Sequence, residues 1–196
     1  MKRIKINNLE YTEKQTIDRA VDYLLYGKII VCPTDTVYGL SCLADNQGAV
    51  EKIYQTKNRS RKKPLLVLVD SLDMAREYFE IDKAQEEYLR SKWPGPISFL
   101  LKDKGKLASN LNFARDGLAV RLPKNEFLIK IISKLGKPLA STSLNKSGEK
   151  ILVRVSDIEK YFKEEEIDLV IDGGILKGEP SRIMDLRDEA DGKKIR

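Results

Sequence analysis

Short aliphatic runs alternate with amphipathic stretches along this chain, and that alternation narrows the fold more than any other feature. Leu65 to Val69 is an unbroken aliphatic run ended by Asp70, and Ile29 to Cys32 is another ended by Pro33. Runs this short, bounded by turn residues, are strands buried on both faces. Between them the apolar spacing becomes helical. Thr12 with Gln15 forms a capping-box pattern, Ile17, Ala20, Val21, Leu24 and Leu25 recur along one side, and Gly27 supplies a stop. Residues 47 to 56 read as a second helix, and 72 to 92 as two short ones ending at Trp93-Pro94-Gly95-Pro96. Strands are expected at 97–101, 118–122, 138–140 and 167–171, and helices at 127–135 and around 157–163. Thr34 to Leu40 and Ser141 to Gly148 read as polar turns, and 103 to 117 as a lid or a meander. Strands interleaved with helices at these lengths predict an α/β fold. We expect one domain over residues 1–196, with no repeat or linker dividing it.

The chain contains no histidine. Ser-His-Asp and Cys-His nucleophilic machinery, zinc proteases of the HExxH kind and zinc deaminases are therefore excluded. Cys32 and Cys42 are the only cysteines, too few for a disulfide framework or a four-ligand zinc site. No run approaches the ~20 apolar residues of a membrane helix, and MKRIKINNLE lacks the apolar core of a signal peptide. A cytoplasmic location is expected. The net charge of +6 fits anionic partners such as nucleotides or RNA, and fits equally a Lys-rich solvated surface.

Four polar segments can carry chemistry. Pro33 to Leu40 places hydroxyls and a glycine after a strand, where open sheets bind ligands, although it also reads as an ordinary strand-to-helix turn. Lys57-Asn58-Arg59-Ser60-Arg61-Lys62-Lys63 packs five cations into seven positions. Bound anions would relieve their repulsion, and so would solvent. Arg121 sits between Val120 and Leu122, facing away from both. It is either a paired buried guanidinium or a surface residue on a one-sided sheet. Ser141 to Gly148 is rich in short hydrogen-bonding groups, but no GxxxxGK[ST] string occurs.

Taken in order, these segments resemble the YrdC-like family, the threonylcarbamoyl-AMP synthases. The matching strings are PTDTVYGL at 33–40, KNR at 57–59 with KPL at 63–65, and WPGPISFLL at 93–101, then AVRLP at 119–123, STSLNKSG at 141–148 and PS at 180–181. The likeness runs from about residue 15 to the end. It implies a twisted mixed sheet with flanking helices around a basic concave cavity. It also implies a reaction that joins L-threonine, bicarbonate or CO2, and ATP, with release of pyrophosphate. The product would serve threonylcarbamoyladenosine modification of tRNA through a downstream transfer complex, direct tRNA or RNA binding being optional. Mg²⁺ would arrive with the ATP, and no protein side chain is assigned to it.

Carried over position by position, the resemblance makes Lys57 and Arg59 catalytic residues lining the cavity where charge accumulates. Thr34, Arg121, Ser141 and Ser181 would bind threonine, with Arg121 on its carboxylate. Lys57, Arg61, Ser143 and Asn145 would bind ATP. Three departures stand out. Leu144 replaces the family's alanine, with an expected effect near the nucleotide. Arg182 replaces a threonine beside the pocket. Arg196 falls where the family places a terminal-strand arginine, and no additional C-terminal domain is expected. Two rivals remain on the residues alone: a non-catalytic RNA-binding module of the same fold, and a carbamoyl-transfer domain of the hydrogenase-maturation type. An aromatic content of 7% speaks against base stacking in the first, and the absence of paired cysteines against the second.

Overall fold

The computed structural model describes residues 1–6, 12–111, 117–187 and 193–194. Arg196 and residues 112–116 of the expected lid or meander lie outside them. The chain opens with a strand, β1 (Lys2–Lys5), that its charged sequence hides; only Ile4 is buried. Helix α1 (Glu13–Leu25) starts where predicted: Thr12 Oγ1 accepts from the Gln15 N–H, and Gln15 Oε1 accepts from the Thr12 N–H. Then come β2 (Ile30–Cys32), β3 (Gly39–Leu43), α2 (Gln47–Lys57), β4 (Leu66–Leu68), α3 (Leu72–Tyr78), α4 (Lys83–Lys92), β5 (Ile97–Leu101) and β6 (Leu118–Arg121). Helix α5 (Glu126–Leu135), β7 (Leu139–Ser143), β8 (Leu169–Asp172), β9 (Arg182–Asp185) and β10 (Lys193–Lys194) complete the fold.

Three expectations change. Gly39 and Leu40 belong to β3, not to a turn. Ser141, Thr142 and Ser143 continue β7, because their backbones complete the antiparallel ladder with β3, Ser141 opposite Ser41 and Ser143 opposite Gly39. Hydroxyl side chains looked like turn chemistry, but backbone pairing decides the conformation. The expected helix near 157–163 is a 3-10 segment, Val155–Lys160, held by buried Val155 and Ile158 with Phe162 just beyond.

All described strands form one mixed sheet in the order β1-β8-β2-β3-β7-β4-β6-β5-β9-β10, with parallel and antiparallel neighbours. Strand side chains alternate between faces, and helices pack on both, over only part of the second. Val31, Leu40, Cys42, Val67, Phe99 and Val120 face α2, α3 and α4 through Val50, Ile53, Ala75 and Leu89. Ile30, Cys32, Leu43, Leu139 and Leu169 face the opposite way, onto Ile17, Leu24, Leu128 and Ile132 of α1 and α5. Further along that second face, Leu66, Leu68, Leu100, Ala119, Arg121, Ser141, Ser143 and Ile183 line a cavity of about 640 Å³. No described helix is long and apolar enough to cross a membrane.

Candidate active site

The cavity floor is the sheet itself, and its first wall is the turn after β2. Thr34 Oγ1 accepts from the N–H groups of Thr36 and Val37 at 3.0 and 3.2 Å and donates to the Val37 carbonyl at 2.7 Å. The Thr34 hydroxyl therefore shapes the turn while its side chain lines the cavity. The turn carries Asp35 and Thr36 to Arg121, the last residue of β6. Arg121 is 2% exposed. Its Nη2 donates to Asp35 Oδ1, its Nη1 to Thr36 Oγ1 at 3.0 Å and its Nε to the Gly95 carbonyl at 2.9 Å. Of the five N–H groups of a guanidinium, three are engaged among the described residues, which leaves one on each terminal nitrogen. Burial pulls the Arg121 pKa down and the Asp35 carboxylate counters it. The buried, paired reading of this arginine is the one the fold adopts. Asp35 and Thr36, unassigned from sequence, are its partners.

The basic segment does not act as one cluster. Helix α2 ends at Lys57, and Asn58 turns the chain with a left-handed conformation, φ 50°. Successive cations then point different ways. Lys57 is 1% exposed and donates to the carbonyls of Ser143 and Asn145, the latter at 2.7 Å, and to Asn145 Oδ1 at 2.9 Å. This corrects its placement on the cavity lining: it lies behind the wall, and an ammonium with three donors has all three committed. Burial, then the charges of Arg59 and Lys146, lower its pKa to about 7. Arg59 does line the cavity, braced by the carbonyls of Lys63 and Pro64 at 2.9 Å each. Arg61 is exposed and pairs with Glu51 on the outside of α2, which corrects its assignment to the nucleotide pocket.

The end of β7 supplies the hydroxyl and amide wall. Ser143 Oγ donates to Asn145 Oδ1 at 2.8 Å, and Asn145 Nδ2 donates to the Glu149 carbonyl at 2.8 Å. Both residues line the cavity, as do Ser141 and Ser181. Ser141 Oγ lies 2.8 Å from Ser41 Oγ, and Ser181 Oγ 2.8 Å from Ser98 Oγ. Gly39 keeps this floor open, since a Cβ there would stand 2.8 Å from Ser141 Oγ. Ser41 and Ser98 escaped the sequence reading; the only hint was a hydroxyl inside an otherwise apolar strand. The cationic lining is extended by Arg187, paired with Asp185, and among the described residues Glu149 is the acid that lines the cavity.

Two departures lose the effects expected of them. Leu144 is fully buried in the core on the opposite sheet face, so its bulk is spent on packing and not on the nucleotide. Arg182 is exposed while its neighbours Ser181 and Ile183 line the cavity; alternation along β9 turns its charge away. Lys57, Arg121 and Asn145 nevertheless converge: the first holds the third from behind, and the second closes the far side of the same cavity.

The family model described as "Telomere recombination" (Sua5, YciO and YrdC) matches residues 22–196. A Methanocaldococcus jannaschii protein provisionally named a threonylcarbamoyl-AMP synthase is 34% identical over 96% of this chain and 89% of its own length. The Mus musculus threonylcarbamoyl-AMP synthase is 31% identical over 82% of this chain and 56% of its own. The crystal structure of Pyrococcus abyssi Sua5 complexed with L-threonine superposes with a TM-score of 0.90 at 28% identity, covering all of this chain and 57% of that one. The chain thus spans little more than half the length of the mouse and P. abyssi proteins. With a family match over most of its length and the same fold from end to end, the chain belongs to the Sua5/YciO/YrdC family.

Proposed function

We propose that this chain is a threonylcarbamoyl-AMP synthase, a cytoplasmic nucleotidyltransferase that condenses L-threonine, bicarbonate or CO2, and ATP. The observation that carries the reading is the single cavity into which Arg59, Arg121, Ser141, Ser143, Asn145 and Ser181 all open. Threonine carboxylate, bicarbonate and triphosphate are all anions. Their mutual repulsion is the main obstacle to reaction, and fixed cations and hydroxyl donors remove it without a protein nucleophile. The threonine nitrogen bonds to the carbon of bicarbonate, with loss of water, to give a carbamate. A carbamate oxygen then bonds to the α-phosphorus of ATP as the bond to pyrophosphate breaks.

In this reading the two uncommitted N–H groups of Arg121 take the threonine carboxylate, and Ser141, Ser181 and the Thr34 turn enclose the rest of the amino acid. Ser143, Asn145 and Arg59 face the nucleotide. Lys57 is a positioning residue: it fixes both the backbone and the side chain of Asn145. The carboxylates of Asp35 and Asp185 are paired with the lining residues Arg121 and Arg187, so magnesium is read as entering on the phosphates of ATP, whose charge it would reduce. The product would pass to a transfer complex that modifies tRNA.

The test is pyrophosphate release from ATP by the purified protein, with threonine and bicarbonate omitted in turn. Release should fall to background in either omission. Release indifferent to both would defeat the assignment. Serine and valine in place of threonine probe the side-chain pocket, because a site built around a hydroxyl rejects its absence strongly.

A further inference from the structure

The loop after β7 brings an acid to a cavity whose charged lining is otherwise cationic. Among the described residues Glu149 is alone in this, beside Asn145 and Gly148. Asp35 and Asp185 are each paired with a lining arginine, Arg121 and Arg187. Glu149 is exposed, and its carboxylate has no hydrogen bond or ion pair among the described residues.

Its backbone, by contrast, is held. The Glu149 N–H donates to the Lys146 carbonyl at 3.1 Å, and the Glu149 carbonyl accepts from Asn145 Nδ2 at 2.8 Å. The loop closes through the Leu152 N–H on the Leu144 carbonyl at 3.0 Å. It is tied to α2 through the Ser147 N–H on the Lys57 carbonyl at 2.8 Å. The carboxylate is thus offered from a fixed point.

What it can bind follows from charge and from place. An ionised carboxylate offers acceptors only, and it repels phosphates. The ligand group it faces must be a donor. Leu68 pairs with Arg121 on one side and Leu139 on the other, so Ser143 lies four strand residues beyond the level of Arg121, about 13 Å along the sheet. Glu149 is attached past that point, through Asn145. An amino acid carries its ammonium and carboxylate on one carbon, so a threonine gripped by Arg121 keeps its ammonium out of reach. The donors left are on the nucleoside half of ATP: the ribose hydroxyls and the amine of the base.

We propose that Glu149 is a specificity residue for the nucleotide, its carboxylate accepting from a hydroxyl or amine of the nucleoside and turning the triphosphate toward Arg59. This rests on the reading of the cavity as an ATP site and adds the orientation of the ligand within it. One acid among cations decides which end of the nucleotide goes where.

The experiment is calorimetric titration of ATP, 2′-deoxy-ATP, 3′-deoxy-ATP, purine riboside triphosphate (which lacks the amine) and pyrophosphate. Each is titrated into wild type, Glu149→Gln and Glu149→Ala, with thermal midpoints to check folding. Loss of a hydrogen bond to a charged group predicts about tenfold weaker ATP binding to Glu149→Ala, with pyrophosphate unchanged or tighter. Gln keeps an acceptor without the charge and should fall between. An analogue missing the bonded donor should bind wild type about tenfold more weakly than ATP does, and Glu149→Ala no more weakly. Which analogue behaves so tells whether sugar or base is held. Wild type that discriminates against no analogue more than Glu149→Ala does would overturn the proposal. So would equal shifts for every nucleotide and for pyrophosphate, the mark of a rim charge acting at a distance. Wild type that binds ATP yet releases pyrophosphate without regard to threonine loses the proposed reaction, while the binding data still decide the role of Glu149. Wild type that binds no ATP loses both.

Discussion

The same face of one sheet is built two ways. Under α1 and α5, the positions that face outward are Ile30, Cys32, Leu43, Leu139 and Leu169, and they pack as an ordinary core. Further along β7, and on β6 and β9, positions of the same parity are Ser141, Ser143, Ala119, Arg121 and Ile183, and they line a cavity. Strand geometry is identical in both halves, so the difference lies in side-chain choice alone. Where a helix covers the sheet, branched aliphatics fill the space. Where none does, small or polar residues keep it open and every buried polar atom must find a partner. The open half should therefore respond to substitution through broken pairing, and the covered half through lost volume.

The largest effect is expected at Arg121. Its removal strips Asp35 of its partner, and breaking a buried ion pair costs about 3–5 kcal/mol of stability. Arg121→Ala should also lose about 2–4 kcal/mol of transition-state stabilisation if the guanidinium holds the threonine carboxylate. The double variant Arg121→Met with Asp35→Leu separates the two: it should recover much of the stability, read by urea midpoints, and none of the threonine-dependent turnover. Recovery of both would mean that Arg121 is structural only.

Leu144→Ala tests the other side of the comparison. This residue sits inside the signature segment yet packs in the core, so truncation should cost about 2–4 kcal/mol by leaving a void. The KM for ATP of the folded fraction should be near wild type. A raised KM with an unchanged midpoint would restore the idea that its bulk touches the nucleotide.

Much of this was legible in advance, and the failures have physical causes. Buried central strands announce themselves because both faces demand aliphatics, as in β2, β4 and β8. Strands β1 and β9 stay hidden in the sequence because KRIK and RIMD carry exposed charges that mask the alternation. Ser141 to Ser143 look like a turn because hydroxyls favour turns locally, whereas their ladder partners lie on β3, a strand whose own first residues look like loop. The cavity residues could be named from motif order. Their pairings could not, since Asp35 and Arg121 are 86 positions apart and Lys57 and Asn145 are 88. The tight spacing of Lys57, Arg59 and Arg61 suggested a joint role, but the left-handed turn at Asn58 sends them to three environments.

Lys57 offers a smaller effect with a sign. The unfolded chain keeps its proton up to about the ordinary value of 10.5, while the folded chain releases it near 7. Between those values the unfolded state binds more protons, so this residue's contribution to stability rises with pH across that window. Lys57→Met should flatten that rise, measured by denaturant midpoints at pH 6.5 and 9.5. It should also weaken ATP more than threonine, because the residue it leaves unsupported is Asn145. Identical pH dependence in variant and wild type would show that the three oxygen acceptors hold the proton against burial.

Arg61 should matter least, and that makes it a sharp test of the division within the basic segment. It lies two residues from Arg59 but on the outside of α2, in an exposed pair with Glu51. Exposed pairs contribute about 0–1 kcal/mol, so Arg61→Ala should leave the midpoint almost unmoved and kcat/KM for ATP within about twofold. Arg59→Ala, one short turn away and on the cavity wall, should lower the same quantity at least tenfold. Comparable losses in both variants would mean that the segment closes over the nucleotide as a unit, with Arg61 leaving Glu51 to join it. The contrast between a wall that acts and a rim that merely dissolves would then have to be redrawn.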